Sequence, residues 1–573
     1  MGTHGTPPLS GLLERASRWR DDDPDPVTRA ALTELVSRAP HDPHAAAELA
    51  DCFTGSLGFG TAGLRAALGP GPNRMNSAVV MRAAAALAAF LHEVAEGDEP
   101  GLVVVGYDAR HNSAQFARDT CAVLAGFGLP AAVMPHHCPT PVLAFAVQHL
   151  EAAAGVMVTA SHNPAQDNGY KVYLGTGSGL DYRGSQIVPP VDARIAALMA
   201  EVGPVHEVAR GEEWLTLDDS VLQAYIERAG SVLDPGGPRR LRIVHTAMHG
   251  VGGEAFRAVA ARAGFTDIHE VPEQALPDPE FPTVTFPNPE EPGALDLAFA
   301  AAREVDADVI IAHDPDADRC AVALPVAVAD ARQTQPGLWQ RLSGDDVGLL
   351  LGWWRIEQAR TGARPLPPDA VFASSIVSGS LLQRLCEREG IAHERTLTGF
   401  KWLARIPNFA YGYEEALGYC VDPVAVRDKD GITASLAVME CLAHLKAEGT
   451  NALEVIARLR AELGGGVTHN ESVTIRDAAA AAAILRRLLQ QPPQALAGAA
   501  VVGADDLATG VDGLPPTTGV RWRLASQGPT PARVIIRPSG TEPKVKCYVE
   551  ADTADQAAAI AQECARLITS SEL

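Results

Sequence analysis

Three aspartates alternate with small residues in His313-Asp314-Pro315-Asp316-Ala317-Asp318-Arg319, directly after an apolar run at 309–312. Carboxylates at i, i+2 and i+4 of an extended backbone point the same way, so this spacing predicts convergence on one hard cation through oxygen ligands. Left unneutralised, three such groups would repel one another. An EF-hand loop would need Gly at 319 and Glu at 325, where the chain has Arg319 and Pro325, so that rival fails. Mg²⁺ suits the cluster best, because it tolerates few protein carboxylates and completes its octahedron with phosphate or water. The alternative is a solvated acidic turn.

A second candidate is the stretch 155–171, GVMVTASHNPAQDNGYK. Its first five residues read as a short buried strand, and Ser161, His162, Asn163 and Pro164 follow in a hard turn. Pro164 pushes its predecessor out of helical geometry and Asn163 tolerates a tight turn. The Ser161 hydroxyl should therefore stand on a stiff loop at the C-terminal end of a strand, where ligands gather in α/β sheets. The competing reading is a hydroxyl bonded only to its own backbone. A third candidate is Arg537-Pro538-Ser539-Gly540-Thr541-Glu542-Pro543-Lys544, between strands expected at 532–536 and 545–550. Hydroxyls and backbone amides beside a guanidinium suit a phosphate dianion, although a hairpin turn would need only the glycine.

Other stretches are less specific. Gly58 to Arg65 satisfies G-x-G-x-x-G, but no apolar strand precedes it and no acidic residue ends a second strand, which argues against a dinucleotide site. A backbone loop offering amides and Arg65 to an anion fits better. Ser113 reads as the cap of a helix reaching 126, with contact to a ligand as the alternative. The glycines of His249-Gly250-Val251-Gly252-Gly253 read as packing glycines more than as a phosphate loop. Glu414, in Tyr413-Glu414-Glu415-Ala416, is a candidate acceptor for a sugar hydroxyl, and Lys429, between Asp428 and Asp430, reads equally as a salt-bridged corner. The chain has only six lysines, at 171, 401, 429, 446, 544 and 546, against 41 arginines, and five of the six fall in stretches singled out for other reasons. A compact ammonium that can lose a proton differs from a guanidinium, so these lysines become suspects.

The elements that must carry these groups alternate strand and helix from 102 onward, predicting parallel sheets with right-handed crossovers. Residues 1–50 read as a helical lead-in broken by an acidic, Pro-bearing stretch at 21–26, and 491–531 as loose chain rich in Gly and Pro. At 573 residues three to five domains are expected. A formal charge of −23 and a pI near 5.2 argue against nucleic acid or an anionic membrane as partner. The absence of an uninterrupted apolar run of about 18 residues predicts neither a membrane span nor a signal peptide. Nine scattered cysteines without a C-x-x-C pair predict reduced thiols in a cytoplasmic protein.

Taken in order, TASHNP with NGYK, DPDADR, GYEEALG and RPSGTEPK resemble the phosphoserine, magnesium, sugar and phosphate loops of the α-D-phosphohexomutase superfamily, a likeness running from 58 to 550. FGTAGLR, TLTGFKWL and PTVTFPNPEE look like the branch that holds phosphopentomutase and glucose-1,6-bisphosphate synthase. The resemblance implies an α/β fold of three similar mixed α/β domains plus a smaller C-terminal α+β domain around a central cleft. It divides the chain at 1–214, 215–325, 326–452 and 453–573. It implies a phosphorylated Ser161 that shares Mg²⁺ with Asp314, Asp316 and Asp318, with His162, Lys171, Arg65 and Arg319 assisting transfer and Lys171 the better acid/base candidate. Thr398, Gly399, Lys401, Glu414, Lys429, Arg537, Ser539, Gly540 and Thr541 would bind a phosphorylated sugar. The implied reaction interconverts hexose 1- and 6-phosphates, of glucose or mannose, through a sugar bisphosphate that also serves as activator. Phosphopentomutase and glucose-1,6-bisphosphate synthase are the alternatives. The family's sugar loop offers Glu-x-Ser where this chain has Ala416, which leaves the sugar open.

Overall fold

The computed structural model describes residues 9–60, 63–326, 338–526, 532–539 and 544–570. They fall into two compact units, one drawn from 1–231, 242–339 and 424–433, the other from 232–241, 340–423 and 434–573.

The first unit opens with three helices, Leu9–Asp22, Pro26–Arg38 and Pro43–Cys52, as the lead-in reading expected. Asp25 and Asp42 cap the second and third by accepting backbone N–H groups, each just ahead of a proline at the first helical position, where the missing N–H costs nothing. Their apolar faces meet around Leu12, Leu32, Leu49 and Phe53.

Strand Val103–Tyr107 lies in register between Ala131–Val133 and Ala154–Val158, all parallel. Val103 to Val105 and Val156 to Val158 are fully buried, which explains why these strands read as continuous apolar runs. The sheet is not wholly parallel. After the loop at 159–166 the chain returns as Asp167–Leu174, antiparallel to Ala154–Val158 on one side and to Gly63–Ala67 on the other. Gly63–Ala67 is thus an edge strand, and the glycine pattern before it opens no βαβ unit.

The same device recurs. Val309–His313 pairs in parallel with Ile243–Thr246 and turns back as Cys320–Pro325. In the second unit, Phe409–Glu414 pairs in parallel with Val371–Ser375 and turns back as Gly418–Cys420. Each reversal holds a residue other than glycine in the left-handed region, Ser161 (φ 52°), Ala317 (φ 54°) and Leu417 (φ 62°). Such backbone persists only where surrounding contacts impose it. Each turn carries one of the motifs singled out from the sequence.

The C-terminal part of the second unit is a six-stranded sheet in the order Val467–Thr474, Lys544–Ala551, Ala532–Pro538, Val520–Leu524, Ala499–Asp506, Ala495–Leu496. Helix Ala554–Ser570 packs on it around Trp522, Val534 and Ile560. This corrects the reading of 491–531 as loose chain: three strands lie there. Ala and Gly at 497–503 mask the alternation, and Arg521 and Arg523 occupy alternate positions of the strand whose other face buries Trp522. Among the described residues one helix, Ser77–Val94, is long and apolar enough to cross a membrane, and most of it is buried as a core helix.

Candidate active site

Ser161 sits just past the end of strand Ala154–Val158, 3 % exposed, with its N–H donating to Thr159 Oγ1 at 2.9 Å. Its hydroxyl does not turn back on the backbone. It donates to Asp314 Oδ2 at 2.7 Å, and His162 Nδ1 lies 3.2 Å from the same oxygen. The loop is clamped by Arg110, which the sequence reading passed over. This guanidinium donates to the carbonyls of Ser161 (2.6 Å), Asn163 (2.5 Å), Pro164 (2.7 Å) and Asp167 (3.1 Å), and it lies over the Phe281 ring. A planar five-donor fork can satisfy several carbonyls at once where an ammonium could not. Asp108, at the end of strand Val103–Tyr107, holds Arg110 at 3.4 Å and accepts from the Ser113 hydroxyl at 2.6 Å. Ser113 is therefore not the helix cap expected of it. Asn112 takes the cap position with no side-chain bond, and Ser113 also accepts from Asn168. The available signal was position: Asp108 and Arg110 follow a buried strand at its C-terminal end.

Asp314, Asp316 and Asp318 converge, one carboxylate oxygen of each lying within 4.8 Å of the others, and they are 0–1 % exposed. They do so by a different route from the one expected. The segment is a turn with Ala317 left-handed, and an extended chain is not what aims the carboxylates. Three carbonyls of the turn are pinned by separate elements: Pro315 O by Val251 N (2.8 Å), Asp316 O by Thr140 N (2.9 Å) and Ala317 O by Gly431 N (3.2 Å). The packing reading of the 249–253 glycines holds, since a Cβ on Gly250 would come within 2.3 Å of Pro315 Cα. Gly431 is equally constrained, its Cβ falling 2.3 Å from Arg319 O.

Cations surround the cluster. Lys171 Nζ, on strand Asp167–Leu174, donates to Asp316 Oδ2 at 2.7 Å and Asp318 Oδ2 at 2.8 Å. Thr140 Oγ1 donates to Asp316 at 2.6 Å, a contact the sequence did not suggest. Lys429 Nζ lies 3.4 Å from Asp318 and Arg319 Nε 3.8 Å from Asp314, while Arg65 Nη1 donates to Asn163 Oδ1 at 3.0 Å. Lys429, expected with the sugar-binding groups, is thus placed on the acidic cluster, on a segment that belongs to the first unit.

Burial raises all three carboxyls, but their partners divide them. Asp314, facing Asp316 and Asp318, is pushed well above the usual carboxylate range, whereas Lys171 holds Asp316 and Asp318 below it. Burial works to lower Lys171, yet the two aspartates outweigh it and hold the ammonium in its charged form. Asp316 Oδ1 and Asp318 Oδ1 are buried without a hydrogen-bond partner among the described residues. Orphaned acceptors of this kind are unusual in a folded interior, and a hard cation would satisfy them.

In the second unit, Gly399 N donates to Glu414 Oε1 at 2.6 Å and Arg537 donates to Thr398 Oγ1, so the loops carrying Thr398, Gly399, Glu414 and Arg537 meet. Gly399 has φ 115°, a backbone open to glycine. Lys401 is 5 % exposed, its ammonium 5.7 Å from the centre of the Trp402 ring. Glu415 accepts from Ser375 and Ser378 at 3.0 Å each, which leaves Glu414 as the member of the acidic pair beside the Thr398 loop. Ser539 N bonds Lys544 O at 2.8 Å. Gly540 and Thr541 lie outside the described residues.

Family models for phosphoglucomutase/phosphomannomutase match in chain order: α/β/α domain I at 56–202, domain II at 223–326, domain III at 343–463 and the C-terminal domain at 529–567. A probable phosphomannomutase of Haemophilus influenzae is 41 % identical, covering 83 % of this chain and 93 % of that protein. The phosphopentomutase of Homo sapiens is 31 % identical over 94 % and 91 %. The crystal structure of a phosphomannomutase from Thermus thermophilus, described there as putative, superposes with a TM-score of 0.69 at 27 % identity, over 90 % of this chain and 99 % of that one. The chain belongs to the phosphoglucomutase/phosphomannomutase family of the α-D-phosphohexomutase superfamily. It is accordingly an isomerase of the intramolecular phosphotransferase kind.

Proposed function

We propose that this chain interconverts hexose 1-phosphate and hexose 6-phosphate, with glucose or mannose as the sugar, through a phosphorylated Ser161 and a bisphosphorylated sugar. The observation that carries this reading is the Ser161 hydroxyl on Asp314 at 2.7 Å, inside a cluster of three aspartates. Asp314, Asp316, Asp318 and the Ser161 oxygen would hold Mg²⁺, which when bound neutralises charge on the transferring phosphoryl group.

In the first half-reaction the Ser161 oxygen–phosphorus bond breaks as a bond from a sugar hydroxyl to phosphorus forms. The released electron pair stays on the serine oxygen, and the hydroxyl proton passes to a base. Lys171 and Arg319 are cations beside that centre, placed to offset the charge of a loose transition state. Lys171 was the favoured acid/base candidate. Its ammonium, on Asp316 and Asp318 beside the serine loop, would exchange a proton with the sugar hydroxyl or offset charge on the transferring group. His162 Nδ1, at 3.2 Å from the serine oxygen, can exchange a proton with it. The second half-reaction returns the other phosphoryl group to Ser161. Arg537 and Ser539, with Gly540 and Thr541, would hold the non-reacting phosphate, while Thr398, Gly399, Lys401 and Glu414 would orient the sugar; binding energy from remote groups is what positions the reacting hydroxyl.

A pentose substrate is the second reading: with Ala416 two residues after Glu414 discrimination among sugar hydroxyls loses one contact, which leaves pentose phosphates open beside hexose phosphates, and the similarity to the human phosphopentomutase supports them. The test is a coupled assay with glucose, mannose, ribose and deoxyribose 1-phosphates, Mg²⁺ and a trace of sugar bisphosphate. A further arm adds a bisphosphoglycerate donor to detect bisphosphate synthesis. Release of inorganic phosphate without isomer would overturn the mutase reading.

A further inference from the structure

A cavity of about 750 Å³ opens in the second unit, walled by Arg384, Arg395, Arg521, Arg523 and Arg533. In a chain of formal charge −23 such a concentration of guanidinium groups requires an explanation. Sheet register accounts for part of it. Arg523 stands opposite Arg533 and Arg533 opposite Glu550, so the three share one face of the C-terminal sheet. Arg533 and Arg537 lie on the same face of strand Ala532–Pro538, four residues and about 13 Å apart at the usual strand rise. The cavity is therefore a different place from the Thr398–Arg537 contact.

Of these five arginines the acidic groups of the cavity hydrogen-bond two, Arg521 and Arg533. Glu550 accepts from the Ser380 N–H and hydroxyl and from Arg533. Asp512 is taken by Arg521, and Glu387 accepts from Gln383. Arg533 also donates to Ile376 O and Ser378 O, a purely structural task. Arg395 and Arg523 have no comparable employment. Arg395 donates from Nε to Gln383 at 3.1 Å, with no hydrogen bond from its terminal nitrogens among the described residues, and Arg523 reaches Asp505 only at 3.4 Å. Burial and the like charge of Arg533 push the Arg395 guanidinium down to about 10, a cost that an anion in the cavity would relieve.

We propose that this cavity binds a small multiply anionic ligand, a phosphate ester of metabolite size, with Arg395 and Arg523 as its principal contacts. The cavity has the volume of an ordinary small-molecule site, and forked guanidinium donors from two elements match the geometry of phosphate oxygens. Arg395 lies three residues before Thr398 and Arg523 lies in the sheet that carries Arg537, so occupancy would tie together the two elements whose loops meet there. The proposal does not depend on the mutase reading.

Titration calorimetry with inorganic pyrophosphate tests it, on the full chain and on Arg395→Gln, Arg523→Gln and Arg537→Gln. The expected result is a pyrophosphate site that survives Arg537→Gln and weakens ten- to a hundredfold in Arg395→Gln and in Arg523→Gln, as loss of charge-assisted hydrogen bonds would produce. Basal isomerisation by those two variants should be unchanged. Arg523, half exposed, can be replaced without disturbing the fold. Unaltered pyrophosphate binding in both variants, or binding abolished by Arg537→Gln alone, would overturn the proposal.

Discussion

Ser161 donates its hydroxyl hydrogen to Asp314 Oδ2 at 2.7 Å, although 153 residues of chain separate them. Two hairpin turns from different sheets meet at that bond, one holding Ser161 left-handed and the other Ala317. Removing the oxygen should leave the framework standing, because the loop is fixed by Arg110 and not by the serine side chain. Ser161→Ala is expected to lower turnover in the coupled assay by at least about a thousandfold, with an unchanged unfolding midpoint. Normal turnover would exclude Ser161 as the nucleophile.

Lys171 is 9 % exposed and neutralises two aspartates. Lys171→Met strands those carboxylates in a dry interior, so a loss of about 3 kcal/mol in stability is expected in chelator-treated protein. Mg²⁺ should restore part of it by supplying the missing positive charge. A melting curve with no dependence on Mg²⁺ in either protein would count against the aspartates as ligands.

Arg110 holds four carbonyls of the Ser161 loop. A lysine keeps the charge but cannot span them, so Arg110→Lys should reduce turnover about a hundredfold, as a serine displaced by roughly an ångström would. KM should change little. A variant as active as the parent would show that the loop is positioned by other means.

Arg537 meets Thr398 in the second unit. If it grips the substrate's non-reacting phosphate, Arg537→Gln should raise KM ten- to a hundredfold, the cost of one charge-assisted contact. An unchanged KM would remove Arg537 from substrate binding.

His313 is fully buried, with Nδ1 3.0 Å from His245 Nε2 and Nε2 3.2 Å from Gly431 O. Burial, then the neighbouring His245, pushes it down to about 3 from an ordinary value of 6.5. The unfolded chain therefore takes up this proton first. The stability contribution is complete above about pH 6.5 and is lost progressively as pH falls toward 3. Urea midpoints measured between pH 7 and 5 should fall more steeply in the parent than in His313→Gln, and parallel slopes would refute the assignment.

What was legible in the sequence was local. Val309 to Ala312 and Val103 to Val105 announced themselves as strands because both faces are buried, and the helix Ser113–Gly126 ended where its pattern ended. The strands within 491–531 were hidden because alanine and glycine fill positions where periodicity would show, and because Arg521 and Arg523 look like solvent-facing charge. Arg110 and Thr140 were missed for a different reason, since their partners lie about 50 to 180 residues away, and Asp108 matters through its hold on Arg110.

By itself the sequence determined which groups are candidates for the chemistry: a serine after a buried strand, an aspartate triplet, a Glu-Glu turn and an arginine-bearing loop, in an order that resembles one superfamily. Only the tertiary structure decided how they act together. It made the aspartate segment a turn, set Lys171 between Asp316 and Asp318, and brought Lys429 to Asp318. The physical reason is that side-chain types and short-range turn preferences are written residue by residue. Which charges neutralise one another is fixed by sheet register and by close packing at glycines such as Gly250 and Gly431, which no local pattern encodes.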